Sequence, residues 1–123
     1  MVNTSEITLE GSSVSAELKR KHIEECLSQL EIIAVKEDDP LLDNAINFYR
    51  KNYCLSPKYA YVLFSRMETH GIGYNPNYFK VSLEKGVFKN DLRQMPTGKV
   101  HRIWPALDSG QKQIAVRAGH SVP

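Results

Sequence analysis

A mainly α-helical domain is what this sequence predicts, and three observations carry the prediction. Apolar residues recur at helical spacing from Val14 to Ile33, from Leu42 to Tyr53 and from Ala60 to Met67. Two start signals, Asp39-Pro40 and Ser56-Pro57, place a capping side chain directly before a proline. Only a short stretch, about residues 77–90, breaks the helical period, which leaves room for a minor β or irregular segment. A chain of 123 residues supports one hydrophobic core, not two. The expected organisation is a flexible arm over residues 1–13, a globular domain over 14–118 and a tail over 119–123.

Each element has its own warrant. Residues 1–13 show little periodicity and close on Gly11-Ser12-Ser13, hence the arm. From Val14, the residues Leu18, Ile23, Cys26, Leu27, Leu30 and Ile33 form an apolar stripe beside Lys19, Arg20, Glu24 and Glu31. Ser13 offers a cap oxygen, and Glu37-Asp38-Asp39 ends the helix. Asp39 then caps a second helix whose inner face is Leu42, Ile46, Tyr49 and Tyr53. Ser56 caps a third, with Ala60, Leu63, Phe64 and Met67 inward and a stop at His70-Gly71. Residues 40–70 are therefore an amphipathic helical hairpin.

The remainder is less regular. Gly71 to Asn77 reads as a loop, and Tyr78 to Leu83 alternates as a strand would. Glu84-Lys85-Gly86 is either a hairpin turn or the opening of a short helix with Phe88, Leu92 and Met95 inward; the helix is favoured. Pro96-Thr97-Gly98 reads as a turn, after which Val100, Ile103 and Trp104 dock on the core. Asp108-Ser109 caps a last helix over residues 111–117.

Charge is the strongest functional pointer. Residues 1–47 hold ten acids against four bases, and residues 48–123 hold twelve bases against four acids. The balances of −6 and +8 sum to the net +2. Such polarity points to a polyanion at the basic end, or to a charged protein surface that complements both ends. No apolar run reaches the roughly 20 residues of a membrane span. The polar start lacks a basic-then-apolar leader, which predicts a cytoplasmic protein. Cys26 and Cys54 sit in apolar patterns and read as reduced thiols.

Catalytic and metal signatures are weak. His22 and Cys26 lie one helical turn apart, but Cys54, His70, His101 and His120 complete no zinc spacing. Thr97-Gly98-Lys99 resembles the end of a phosphate-binding loop without its upstream glycine. No nucleophile–base set stands out, so no enzyme, metal or cofactor is expected.

A non-catalytic binding or regulatory module remains. Its expected nucleic-acid contacts are Lys58, Arg66, Lys80, Lys85, Lys89, Arg93, Lys99, His101 and Arg102, because bases track phosphates. Tyr61, Tyr74 and Tyr78 are candidates for stacking on bases or for an interface, with Tyr74 and Tyr78 expected to be exposed. The hairpin has the lengths of a helix-turn-helix pair, although an ordinary hairpin needs the same signals and is preferred. The alternative is a small protein-binding accessory subunit or inhibitor that docks through its charge-polarised faces on an acidic protein surface, as of a nucleic-acid-handling complex.

Overall fold

The structure, a computed structural model, describes residues 4–83 and 91–123, with side chains from Ser15 onward. It is mainly helical, with no strand among the described residues. In chain order the helices are α1 (Thr4–Lys36), α2 (Pro40–Asn52), α3 (Pro57–Thr69), α4 (Asp91–Gln94), α5 (Thr97–Ile103) and α6 (Ser109–Arg117). Short 3-10 turns cover Pro76–Tyr78 and Trp104–Ala106. None of the described helices is long and apolar enough to cross a membrane.

Local chemistry explains the middle of the chain. Asp39 accepts the Leu42 N–H at 3.1 Å and Ser56 accepts the Tyr59 N–H at 3.1 Å, so both expected caps form. Beyond α3, Gly71 takes φ +69°, where a side chain would be strained, and Ile72 N–H returns to the Met67 carbonyl at 2.9 Å. At α6 the cap is reciprocal. Asp108 accepts the Gln111 N–H at 2.8 Å, and the Gln111 side chain accepts the Asp108 N–H at 2.9 Å.

α3 is the centre of the molecule. Its expected inner face of Ala60, Leu63, Phe64 and Met67 is fully buried. Val62 and Ser65 are buried too, because α5 and α4 close over the side that α1 and α2 leave open. A recognition helix must offer its polar side to a groove. α3 is instead enclosed by α1, α2, α4 and α5, so the helix-turn-helix geometry is not presented.

Several boundaries depart from expectation. α1 begins at Thr4, so position 13 lies inside a helix, not at its start. No proline interrupts Gly11-Ser12-Ser13, and nothing in that backbone forces a stop. Leu18 leaves the proposed stripe: Ile23, Cys26, Leu27 and Leu30 are buried, whereas Leu18 sits on the opposite side and is 56% exposed. Tyr53, also expected inward, is the left-handed cap of α2 (φ +56°) and is exposed.

The expected strand at 78–83 is an extended segment with a single parallel bridge. Leu55 N–H donates to the Lys80 carbonyl at 2.8 Å and Ser82 N–H to the Leu55 carbonyl at 2.9 Å. Pairing stops there because α3 is capped at the very next residue, Ser56. Pro96-Thr97-Gly98 opens α5 and does not form an isolated turn. Burial of Val100 and Ile103 offsets the roughly 1 kcal/mol that a helical glycine costs. The choice between hairpin and helix over 84–90, with Lys85 and Lys89, falls outside the described residues.

The residues expected as a tail are fastened. His120 is buried, and its two ring nitrogens meet Thr97 Oγ1 at 2.8 Å and the Leu92 carbonyl at 2.6 Å. His101 Nε2 meets the Ser121 carbonyl at 2.7 Å.

Candidate functional site

Three of the expected basic contacts converge on one groove. It lies between α3 and the α4–α5 corner and encloses about 530 Å³. Lys58, Tyr61 and Arg66 come from α3, Asp91 and Met95 from the α4 region, and Lys99 from α5. Leu41 and Val62 add apolar surface. Helical spacing explains part of the α3 contribution: Lys58 and Tyr61, three residues apart, lie on the side away from Leu63, and Arg66 reaches the groove from the flank, about two turns further along.

The electrostatics of the groove are mixed. Lys99 Nζ lies 4.8 Å from the centroid of the Tyr61 ring, a cation–π distance. Arg66 Nε donates to Asp39 Oδ2 at 2.7 Å, so its charge is largely satisfied from within. That hydrogen bond is the main reason the Asp39 carboxyl titrates below its ordinary value. Burial pushes the Asp91 carboxyl up, against the Lys58 backbone N–H and ammonium, which pull it down. Lys58 and Lys99 are exposed and have no ion-pair partner among the described residues. The groove thus sets two exposed ammonium groups, one beside the Asp91 carboxyl and one over the Tyr61 ring, next to the apolar Leu41, Val62 and Met95, an arrangement that can meet a carboxylate or phosphate attached to something apolar.

The other expected residues do not gather there. Lys80 is exposed beside Ser82 and Asp108, near the α6 cap. Arg93 is exposed on α4. Arg102 donates to Glu68 at 2.9 Å, and His101 is held by Ser121. Tyr74 and Tyr78 are half-buried, contrary to their expected exposure. Tyr74 stacks on Phe64 with centroids 5.0 Å apart, and Tyr78 meets His22 edge-on at 5.2 Å. The Phe64–Phe79 pair draws Tyr74 inward, and Tyr78 packs against the core beside His22. Burial first, then Glu68, pushes the Tyr74 phenol up to about 12.

Sequence polarity is also partly consumed within the fold. Arg50 binds Glu24 at 2.6 Å and also Glu31, while His70 sits 3.2 Å from Glu37. With Arg66–Asp39, these pairs join the acidic front of the chain to the basic remainder. Periodicity places neither partner of such a pair, so they were beyond reach of the sequence. The groove could have been anticipated only through Tyr61, whose neighbour Lys99 lies 38 positions away.

His22 and Cys26 are positioned as a structural pair. Asn75 N–H donates to His22 Nε2 at 3.0 Å, and Cys26 Sγ lies 3.8 Å from the same nitrogen. Burial, then Glu25, pushes the Cys26 thiol up, the opposite of an activated thiolate. Cys54 is half-buried, less enclosed than expected. Among the described residues no three His, Cys, Asp or Glu side chains cluster as metal ligands would. Comparison with protein-family models, curated proteins and solved structures finds no match for this chain.

Proposed function

We propose that this protein is a non-catalytic binding module whose groove takes an acidic, aliphatic-flanked segment of a partner protein. The observation that carries the reading is the convergence of Lys58, Lys99 and Arg66 around Tyr61 above Leu41, Val62 and Met95. Acidic side chains of the partner would meet the ammonium groups, and its aliphatic side chains the floor. The rings that unpaired bases would need already have neighbours: Lys99 on Tyr61, Phe64 on Tyr74 and His22 on Tyr78. A non-catalytic role is supported by His22 and His120, whose hydrogen bonds are structural. Two free thiols suit a cytoplasmic setting.

Nucleic acid is the second reading. Lys80, Arg93 and Arg117 favour it, being exposed with no ion-pair partner among the described residues. Fluorescence anisotropy with labelled acidic–aliphatic peptides and with single-stranded and duplex oligonucleotides, each titrated across salt, separates the two. Peptide binding that weakens at least tenfold (about 1.4 kcal/mol) in Lys58→Glu/Lys99→Glu, at an unchanged unfolding midpoint, is the expected result. Oligonucleotide binding with a log–log salt slope of about −3 to −4, and none to peptides, would replace the first reading by the second. Binding to neither probe would remove the groove as a site.

A further inference from the structure

The side of α1 that faces away from the core carries a second pattern. Leu18, Lys21, Glu25, Ser28, Ile32 and Val35 are all exposed and fall at spacings of three and four. At 100° per residue this row stands diametrically opposite Ile23, Leu27, Leu30 and Ala34, which face the core. Three of the seven large hydrophobic residues exposed among the described residues lie on it: Leu18 at 56%, Ile32 at 69% and Val35 at 83% exposure. The spacing is that of a coiled-coil seam, with Leu18, Glu25 and Ile32 seven apart and Lys21, Ser28 and Val35 seven apart.

Two further facts concern what covers this seam. Residues 15–21 are exposed all round the helix, nearly two turns, with Lys19 reaching back to the Tyr78 ring at 5.9 Å from its centroid. Helices in proteins draw most of their stability from packing an apolar face, and these turns have none of their own. The centre of the seam is also self-complementary. Lys21 and Glu25 are adjacent seam positions of opposite charge, and neither has an ion-pair partner among the described residues.

We propose that α1 is a homodimerisation helix, pairing antiparallel with a second copy of this chain about a two-fold axis between Lys21 and Glu25. The two-fold sets Lys21 against the partner's Glu25 and Glu25 against the partner's Lys21. It places Leu18 over the small Ser28 of the partner, and carries Ile32 and Val35 onto the first half of the partner helix. A parallel pair would instead oppose Lys21 to Lys21 and Glu25 to Glu25, so the charges select the direction. Glu24 and Glu31, which flank the seam, are turned toward α2 and neutralised by Arg50. This surface is separate from the α3–α5 groove and does not depend on it.

Sedimentation equilibrium of the full chain over a concentration series tests the proposal. Wild type is expected to dimerise reversibly. Lys21→Glu alone and Glu25→Lys alone each place like charges at the axis and are expected to raise the dissociation constant at least tenfold. The exchanged double variant, Lys21→Glu with Glu25→Lys, restores the pairing. An equimolar mixture of the two single variants forms a heterodimer, because each supplies the charge the other lacks. Circular dichroism of each variant checks that the fold is kept. A monomeric wild type, single reversals that leave the dimer intact, or a double variant that stays monomeric would each overturn the proposal.

Discussion

Asp39 joins the start of α2 to the middle of α3, and replacing it separates two contributions to stability. Its carboxylate accepts the Leu42 N–H at 3.1 Å as a helix cap and the Arg66 Nε–H at 2.7 Å as an ion pair. The Arg66 and Asp39 side chains are 29% and 18% exposed, which places the pair between a surface bridge and a buried one. A cap contributes about 1 kcal/mol, and a partly screened pair about 1 kcal/mol more. Asp39→Ala removes both and is expected to lose about 2 kcal/mol. Asp39→Asn keeps a cap oxygen and is expected to lose about 1 kcal/mol. The pH dependence has a definite sign. Because the folded carboxyl, held by Arg66, titrates below its unfolded value, its contribution is fully present above about pH 4 and is lost as pH falls further. Asp39→Asn should therefore flatten the acid limb of the stability curve. Urea unfolding at pH 7 and across the acid range measures both quantities. Equal losses for Asn and Ala would refute the cap, and an unchanged acid limb in Asp39→Asn would refute the ion pair as its source.

His120 closes the α4–α5 corner, and His120→Ala leaves the Leu92 carbonyl and Thr97 hydroxyl without their partner, for an expected loss of about 2 kcal/mol in urea unfolding. A loss under about 0.5 kcal/mol would mean that water or a neighbouring group replaces the ring. Tyr74 should ionise only near pH 12, seen as a late phenolate absorbance step that disappears in Tyr74→Phe. Because its folded form holds the proton more tightly, its share of stability should fade as pH rises from about 10. A full set of tyrosines titrating near pH 10 in the native protein would contradict that burial.

What could be read in the sequence was what the chain decides within a few residues. Asp39-Pro40, Ser56-Pro57, His70-Gly71 and Asp108 each act on a backbone donor or acceptor no more than four positions away, and each marks an observed helix end. The face of α3 that carries Leu63 and Met67 was legible for the same reason, since period alone fixes it. Leu18 was misassigned because a stripe read at spacings of three to five drifts around the helix, and five residues separate it from Ile23. Tyr74 and Tyr78 looked like loop aromatics beside glycine and proline; Tyr74 packs on Phe64 and Tyr78 on His22, partners that only tertiary packing brings to them. Gln111 shows the same limit. Its cap was anticipated through Asp108, but the bond from its Nε2 to the Val81 carbonyl, 30 positions back, was not. Of the candidate groove, Lys58, Arg66 and Lys99 could be named from the sequence as basic residues, but their convergence was not visible. The internal pairing of Arg66 and Arg102 was hidden as well.

The ion pairs that cross between elements have a further consequence for how the chain assembles. Glu24 to Arg50, Asp39 to Arg66 and Glu68 to Arg102 span 26, 27 and 34 positions. Each draws one helix to another nearby in the chain, and none bridges the two ends. Closing loops of that length costs little more entropy than closing loops half as long. A collapsing chain can therefore add its helices in succession, each recruited by the opposite charge of one already placed. Two of the three pairs, Glu24 to Arg50 and Asp39 to Arg66, join the acidic front of the chain to its basic remainder, so the uneven distribution of charge, beyond anything it offers a partner, holds α1, α2 and α3 to one another.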